Sequence, residues 1–194
     1  MAGNFRILGI AGSLRKGSYN RAALRAAVGL VPDGVTLEIF DLEGIPPFNE
    51  DEEPHPPARV TELKARIHAA DAILFSTPEY NYSIPGVLKN AIDWASRPYG
   101  HNAWDDKAVA VMGASVGQHG TSRAQYHLRQ VFVFTNMHPL NQPEVMIADA
   151  SHRFDERGNL TDEKAKELIR QLLAGLVAWG RRLERGTEGR AAQA

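Results

Sequence analysis

Three loops carry the residues best suited to chemistry. The first reads Gly12-Ser13-Leu14-Arg15-Lys16-Gly17-Ser18-Tyr19-Asn20, entered by an apolar run and followed by an Ala-rich helical pattern. That order is a strand, a loop and a helix N-terminus. Backbone N–H groups at such an end lack intrahelical partners and sit at the positive pole of the helix dipole, so a phosphate placed there satisfies both. Ser13 and Ser18 add hydroxyls, Asn20 an amide, and Arg15 a planar fork matched to phosphate oxygens. Lys16 reads as a solvated side chain. The loop is not a Walker A loop, because Lys16 precedes Gly17 and not Ser or Thr, and it lacks the G-x-G-x-x-G dinucleotide fingerprint. The plainer alternative is a turn in which Ser18 merely caps the helix; the clustering of Ser, Arg, Ser and Asn favours a phosphate.

The second loop, Thr77-Pro78-Glu79-Tyr80-Asn81-Tyr82-Ser83-Ile84-Pro85-Gly86, holds two aromatics and two prolines. A loop this stiff offers backbone N–H and C=O groups to the edge of a planar ring, with an aromatic beside its face. Flavin isoalloxazine has such an edge. The alternative is a Pro-rich turn with Tyr82 packed on the domain and Glu79 a surface acid. The third loop, residues 113–120, contains Gly113, Ser115, Gly117 and Gly120. Its glycines permit close backbone approach to a ligand, or mark a flexible turn.

Other chemistries find little support. The chain has no Cys, which excludes disulfides, thiolate metal sites and a dithiol redox centre, so redox chemistry requires a bound cofactor. Its seven His lack metal-ligand spacing. Asp93 and Trp94 read as surface and packing. A net charge of −1 gives no footprint for nucleic acid or an anionic membrane. Arg6 interrupts the first apolar residues, unlike a signal peptide, and no apolar run has membrane-span length, which leads to a cytoplasmic expectation.

The elements around these loops follow from periodicity. Strands are expected over Phe5–Ala11, Val35–Phe40, Ala72–Thr77, Ala108–Met112 and within Leu140–Ile147. Helices are expected over 19–30, around Val60, Leu63 and Ile67, from a Ser83 cap through Ala95, over 121–134, and over Thr161–Arg185. Residues 44–57 read as a solvated acidic loop. At 194 residues the chain suits one α/β domain, here 1–185, with 186–194 a disordered tail. Five strand–helix repeats give a parallel sheet covered on both faces. In a three-layer sandwich of strand order 2-1-3-4-5, the first and second loops flank the switch point where such sheets bind ligands.

The motifs Gly12–Asn20, Thr77–Gly86 and Leu88-Lys89-Asn90-Ala91-Ile92-Asp93-Trp94 resemble the NADPH-dependent FMN reductase family, of flavodoxin-like fold, in its chromate/quinone reductase branch, which includes azoreductase-like members. Tyr126-His127-Leu128-Arg129-Gln130 is similar to a helix segment of that branch. The resemblance spans about residues 5–147. It implies FMN as cofactor, NADPH or NADH as hydride donor, and quinones and similar small molecules as acceptors. It also implies that Ser13, Arg15, Ser18, Tyr19 and Asn20 surround the FMN phosphate, that Pro78, Glu79, Tyr80 and Asn81 line the isoalloxazine, and that Ser115, with Gly117 in the same loop, meets the flavin. Two rivals stand beside this reading. One is a flavodoxin-type electron carrier, disfavoured by the near-neutral charge. The other is a nucleotide hydrolase, disfavoured by the missing Walker lysine.

Val131, Phe132, Val133 and Phe134 would point in four successive directions on one helix, whereas covering a sheet needs only a stripe. The surplus predicts an exposed apolar patch of the kind that marks an interface. The family resemblance implies dimers and often tetramers, so a homo-oligomer, a tetramer built from dimers, is expected, with Tyr126 and Arg129 near a polar rim. The alternative is a buried helix end. The helix after Ser83, with Tyr82 and Trp94 near its ends, is a second candidate interface.

Overall fold

The computed structural model describes residues 4–191. Strands β1 (Phe5–Ala11), β2 (Val35–Phe40), β3 (Ala72–Ser76), β4 (Ala108–Ala114), β5 (His138–Pro139) and β6 (Val145–Ile147) alternate with helices α1 (Tyr19–Val28), α2 (Ala58–Ala69), α3 (Gly86–Ala95), α4 (Ser122–Phe134) and α5 (Glu163–Ala191). All strand pairs are parallel, in the order β2-β1-β3-β4-β5. No helix among the described residues is long and apolar enough to cross a membrane.

The central strands lack apolar–polar alternation because both sheet faces are covered. Every residue of β3 and β4 is buried. Successive side chains still point to opposite faces. Ala72 and Leu74 join one core with Ala23, Leu24 and Ala27 of α1 and Ile169, Leu172 and Leu176 of α5. Ile73 and Phe75 join a second core with Leu63 and Ile67 of α2, Leu88 and Ile92 of α3, and Leu128 and Phe132 of α4. Phe75 lies 5.5 Å from the Phe132 ring and 5.8 Å from Trp104.

Several expectations are corrected. The last strand is two strands, one starting before Leu140. β5 pairs with Ala108–Val109 and β6 with Met112–Ala114. Pro143 lies in the stretch between them and has no N–H to continue a ladder. Arg129 holds that stretch through Leu140 O at 3.1 Å and Asn141 Oδ1 at 3.2 Å. Ser83 does not cap α3, whose N-cap is Pro85. Ser83 and Tyr80 instead exchange two backbone hydrogen bonds of 3.0 Å across a turn in which Asn81 and Tyr82 take positive φ. The acidic loop is not wholly solvated. Glu53 is largely buried and pairs with Arg97 at 2.9 Å, and Pro46 O accepts from Asn90 and from Trp94 Nε1. Trp94 is therefore core, not interface. α5 continues past Arg185 to Ala191 where a disordered tail is expected; residues 192–194 lie outside the described residues.

Candidate active site

The three loops emerge together at the C-terminal edge of the sheet. Ala11 is in register with Ser76, and Ser76 with Met112. Gly12 N donates to Ser76 O at 2.9 Å, and Thr77 N to Met112 O at 3.0 Å. A Cβ on Gly12 would lie 3.3 Å from Pro78 Cδ and 3.4 Å from Pro85 Cγ, so the first loop approaches the second with little room for a side chain between them. A Cβ on Gly113 would lie 2.4 Å from Thr77 O and 2.0 Å from Thr121 Oγ1. Glycine is required there by close approach, not by a turn.

The first loop ends where Ser18 caps α1. Its buried Oγ accepts from Asn20 N at 3.2 Å and Arg21 N at 3.4 Å. Ser13 is also buried, and its Oγ accepts from Arg15 N at 3.3 Å. Both hydroxyls act as acceptors toward the backbone, so each keeps its hydrogen for another partner. The N–H groups of Lys16, Gly17 and Tyr19 have no acceptor among the described residues. Arg15 is exposed, with its guanidinium carbon 5.8 Å from the Tyr19 ring centroid. Tyr19 in turn packs on Phe154 at 5.2 Å, a contact from beyond β6 that no local pattern announces. This donor set suits a phosphate monoester. Asn20 stands apart: it is 2% exposed and turned inward to β3 and β4.

In the second loop, the Glu79 and Asn81 N–H groups have no acceptor among the described residues, which leaves a polar backbone edge beside the phosphate loop. Glu79 is not a surface acid. Its carboxylate is 5% exposed and accepts from Arg123 N at 3.0 Å and Ala124 N at 3.2 Å. It thus caps α4, whose own N-cap, Thr121, makes no side-chain cap bond. It also pairs with the Arg123 guanidinium, which lies 3.8 Å from the Tyr82 ring centroid. Tyr82 is not packed into the domain; it is exposed, as is Tyr80. In the third loop, Ser115 Oγ accepts from Gly117 N at 3.1 Å, which tightens the turn beside Ala114. Sequence spacing gives no hint of the Glu79–α4 cap, because the partners lie 44 and 45 residues apart.

A doubly wound parallel sheet with a phosphate turn and a proline-braced polar loop side by side at its switch point defines a mononucleotide-binding α/β protein. The sequence model of the NADPH-dependent FMN reductase family matches residues 5–152, and the chain belongs to that family. It is 57% identical over 185 residues to an NAD(P)H-dependent FMN reductase of Pseudomonas aeruginosa, covering 94% of this chain and 99% of the relative. It is 45% identical to an NAD(P)H:quinone oxidoreductase of Solanum tuberosum, covering 92% and 94%. The solved structure of FerB, a flavoenzyme NAD(P)H:acceptor oxidoreductase of Paracoccus denitrificans, superposes with a TM-score of 0.84 at 34% identity, covering 92% of this chain and 98% of that one.

Proposed function

We propose that this chain is an FMN-dependent reductase that takes hydride from NADPH or NADH and reduces quinones and related small acceptors by two electrons. The observation that carries it is the close approach at Gly12, where an added Cβ would meet Pro78 and Pro85, which sets a phosphate-binding turn against a polar loop edge at the switch point. The full-length similarity to named FMN and quinone reductases supports the same chemistry. Bound FMN supplies the hydride and electron transfer itself. The first loop anchors the phosphate through its free N–H groups, the Ser13 and Ser18 hydroxyls and Arg15. The edge formed by Glu79 and Asn81 orients the ring's polar side, and Ser115 and Gly117 bound it from the third loop. Chromate and azo compounds are further candidate acceptors, and the cytoplasm is the expected location.

The deciding experiment records the visible spectrum of the purified protein, then adds NADPH and NADH separately without oxygen. Rapid bleaching, reversed by a quinone, is expected, with parallel double-reciprocal plots for donor and acceptor. A flavin that stays oxidised would point to an electron carrier instead.

The phosphate assignment makes its own predictions. Arg15→Ala removes a charge-assisted contact of about 1.5–3 kcal/mol, so FMN affinity falls about tenfold to a hundredfold. Fluorescence titration checks this; unchanged affinity would remove Arg15 from the site. Wild-type protein is expected to bind FMN well above riboflavin, which has no phosphate, and above FAD, which has no terminal monoester. A preference for FAD would contradict the mononucleotide reading.

We also propose a homo-oligomer, a tetramer built from dimers. Val133 and Phe134 are 81% and 80% exposed at the end of α4. Phe134 also borders a groove of about 650 Å³ between α3 and α4 that includes Ile84 and Val131 and begins at the ring loop, at Ser83. Tyr126 and Arg129 are the polar rim candidates. Tyr126 donates to Glu144 at 3.0 Å, and that carboxylate holds the phenol above its usual pKa.

A further inference from the structure

Asn20 belongs by resemblance to the phosphate, yet its side chain faces the sheet. Nδ2 donates to Ala114 O at 2.8 Å, and Oδ1 accepts from Ala114 N at 2.8 Å. The Ser76 hydroxyl, fully buried at the end of β3, donates to Asn20 O at 3.0 Å, with Oδ1 at 3.3 Å. The backbone explains the arrangement. Ser115 N bonds to Ile147 O on the β6 side, so the N–H and C=O of Ala114 face the β3 side. There the ladder stops with Thr77 N on Met112 O, because the chain turns away at Pro78. The Asn20 carboxamide takes the next position, presenting one donor and one acceptor as a strand residue would.

We propose that Asn20 is a positioning residue and not a phosphate ligand. It locks the first turn of α1 to the ends of β3 and β4, so that the phosphate loop and both ring-side loops keep one register. All three loops depend on it. Ser18 and Tyr19 precede it directly, Thr77 and Pro78 follow its partner Ser76, and Ser115 follows its partner Ala114. Removing it leaves a buried N–H and a buried C=O without partners, a costly defect.

The inference rests on the FMN reading, and the test separates the two. A phosphate ligand and a register lock differ toward riboflavin, which has the ring and no phosphate. Asn20→Ala is expected to weaken FMN and riboflavin by the same factor, about tenfold or more. The FMN-to-riboflavin ratio then stays at its wild-type value. Arg15→Ala should do the opposite, lowering FMN and sparing riboflavin. Ser76→Ala, which keeps the two Ala114 bonds, should show a smaller loss with the same equal-factor signature, and it decides the matter if Asn20→Ala does not fold. Hydrogen exchange on flavin-free protein gives a readout independent of binding. Asn20→Ala should raise exchange across 12–20, 76–83 and 113–121 together. A loss confined to FMN, no loss for either flavin, or faster exchange in 12–20 alone would overturn the lock. Wild-type protein that binds neither flavin would fail the FMN reading, while the exchange pattern would still judge the lock.

Discussion

Gly113→Ala is expected to destabilise the protein by about 3 kcal/mol, the upper end of ordinary overpacking. For a chain of this size that corresponds to a fall in Tm of roughly 6–12 °C. The added Cβ would meet Thr77 O at 2.4 Å and Thr121 Oγ1 at 2.0 Å. Neither can step aside cheaply. Thr77 is fixed by its N–H on Met112 O, and Thr121, fully buried, accepts from Gln125 Nε2 at 3.0 Å through its hydroxyl. The clash pushes the ring loop away from the third loop, so FMN affinity should fall with stability. Gly86→Ala is the matched control, since its Cβ would meet nothing within 4 Å and its φ is not positive. It should hold or slightly raise stability. Chemical denaturation of both variants checks this; equal midpoints would show that the strand ends yield more easily than the geometry implies.

The double substitution Val133→Glu with Phe134→Glu is expected to break the tetramer into smaller, folded species. These two side chains point outward, while Phe132 beside them is fully buried on Phe75, so the fold is spared. Burying one such side chain is worth about 1.5–3 kcal/mol. A two-fold interface uses each residue twice, so association should weaken by about four orders of magnitude or more. Light scattering at micromolar concentration, with circular dichroism as the folding check, measures this. A variant that keeps the wild-type mass would move the interface elsewhere. A wild-type protein that is monomeric would refute the oligomer.

Much of the fold was legible before any coordinates. An apolar run without alternation marked β3, because a strand covered on both faces has no solvent side to encode. Val60, Leu63 and Ile67, spaced for one helical face, are the buried residues of α2. Strand–helix repetition and crossover handedness left few topologies, and the 2-1-3-4-5 order is the one observed. The surplus of apolar residues at the end of α4 was equally legible, as a helix has one inward stripe and Val133 and Phe134 fall outside it.

The sequence by itself determined the secondary elements, their order, and which three loops gather at one edge, because hydrophobic period and backbone chemistry act over a few residues. It also determined that the first loop offers anion donors. Tertiary structure alone decided which polar groups face the ligand and which hold the scaffold. Asn20, Ser18 and Glu79 all have side chains suited to an N-cap or a ligand. Only Ser18 caps its own helix, Glu79 caps a helix 44 residues away, and Asn20 completes the ladder of a strand 94 residues away. A side chain's type fixes how many hydrogen bonds it can make. The partner is chosen by whatever the folded chain brings within about 3 Å, and no local pattern carries that distance.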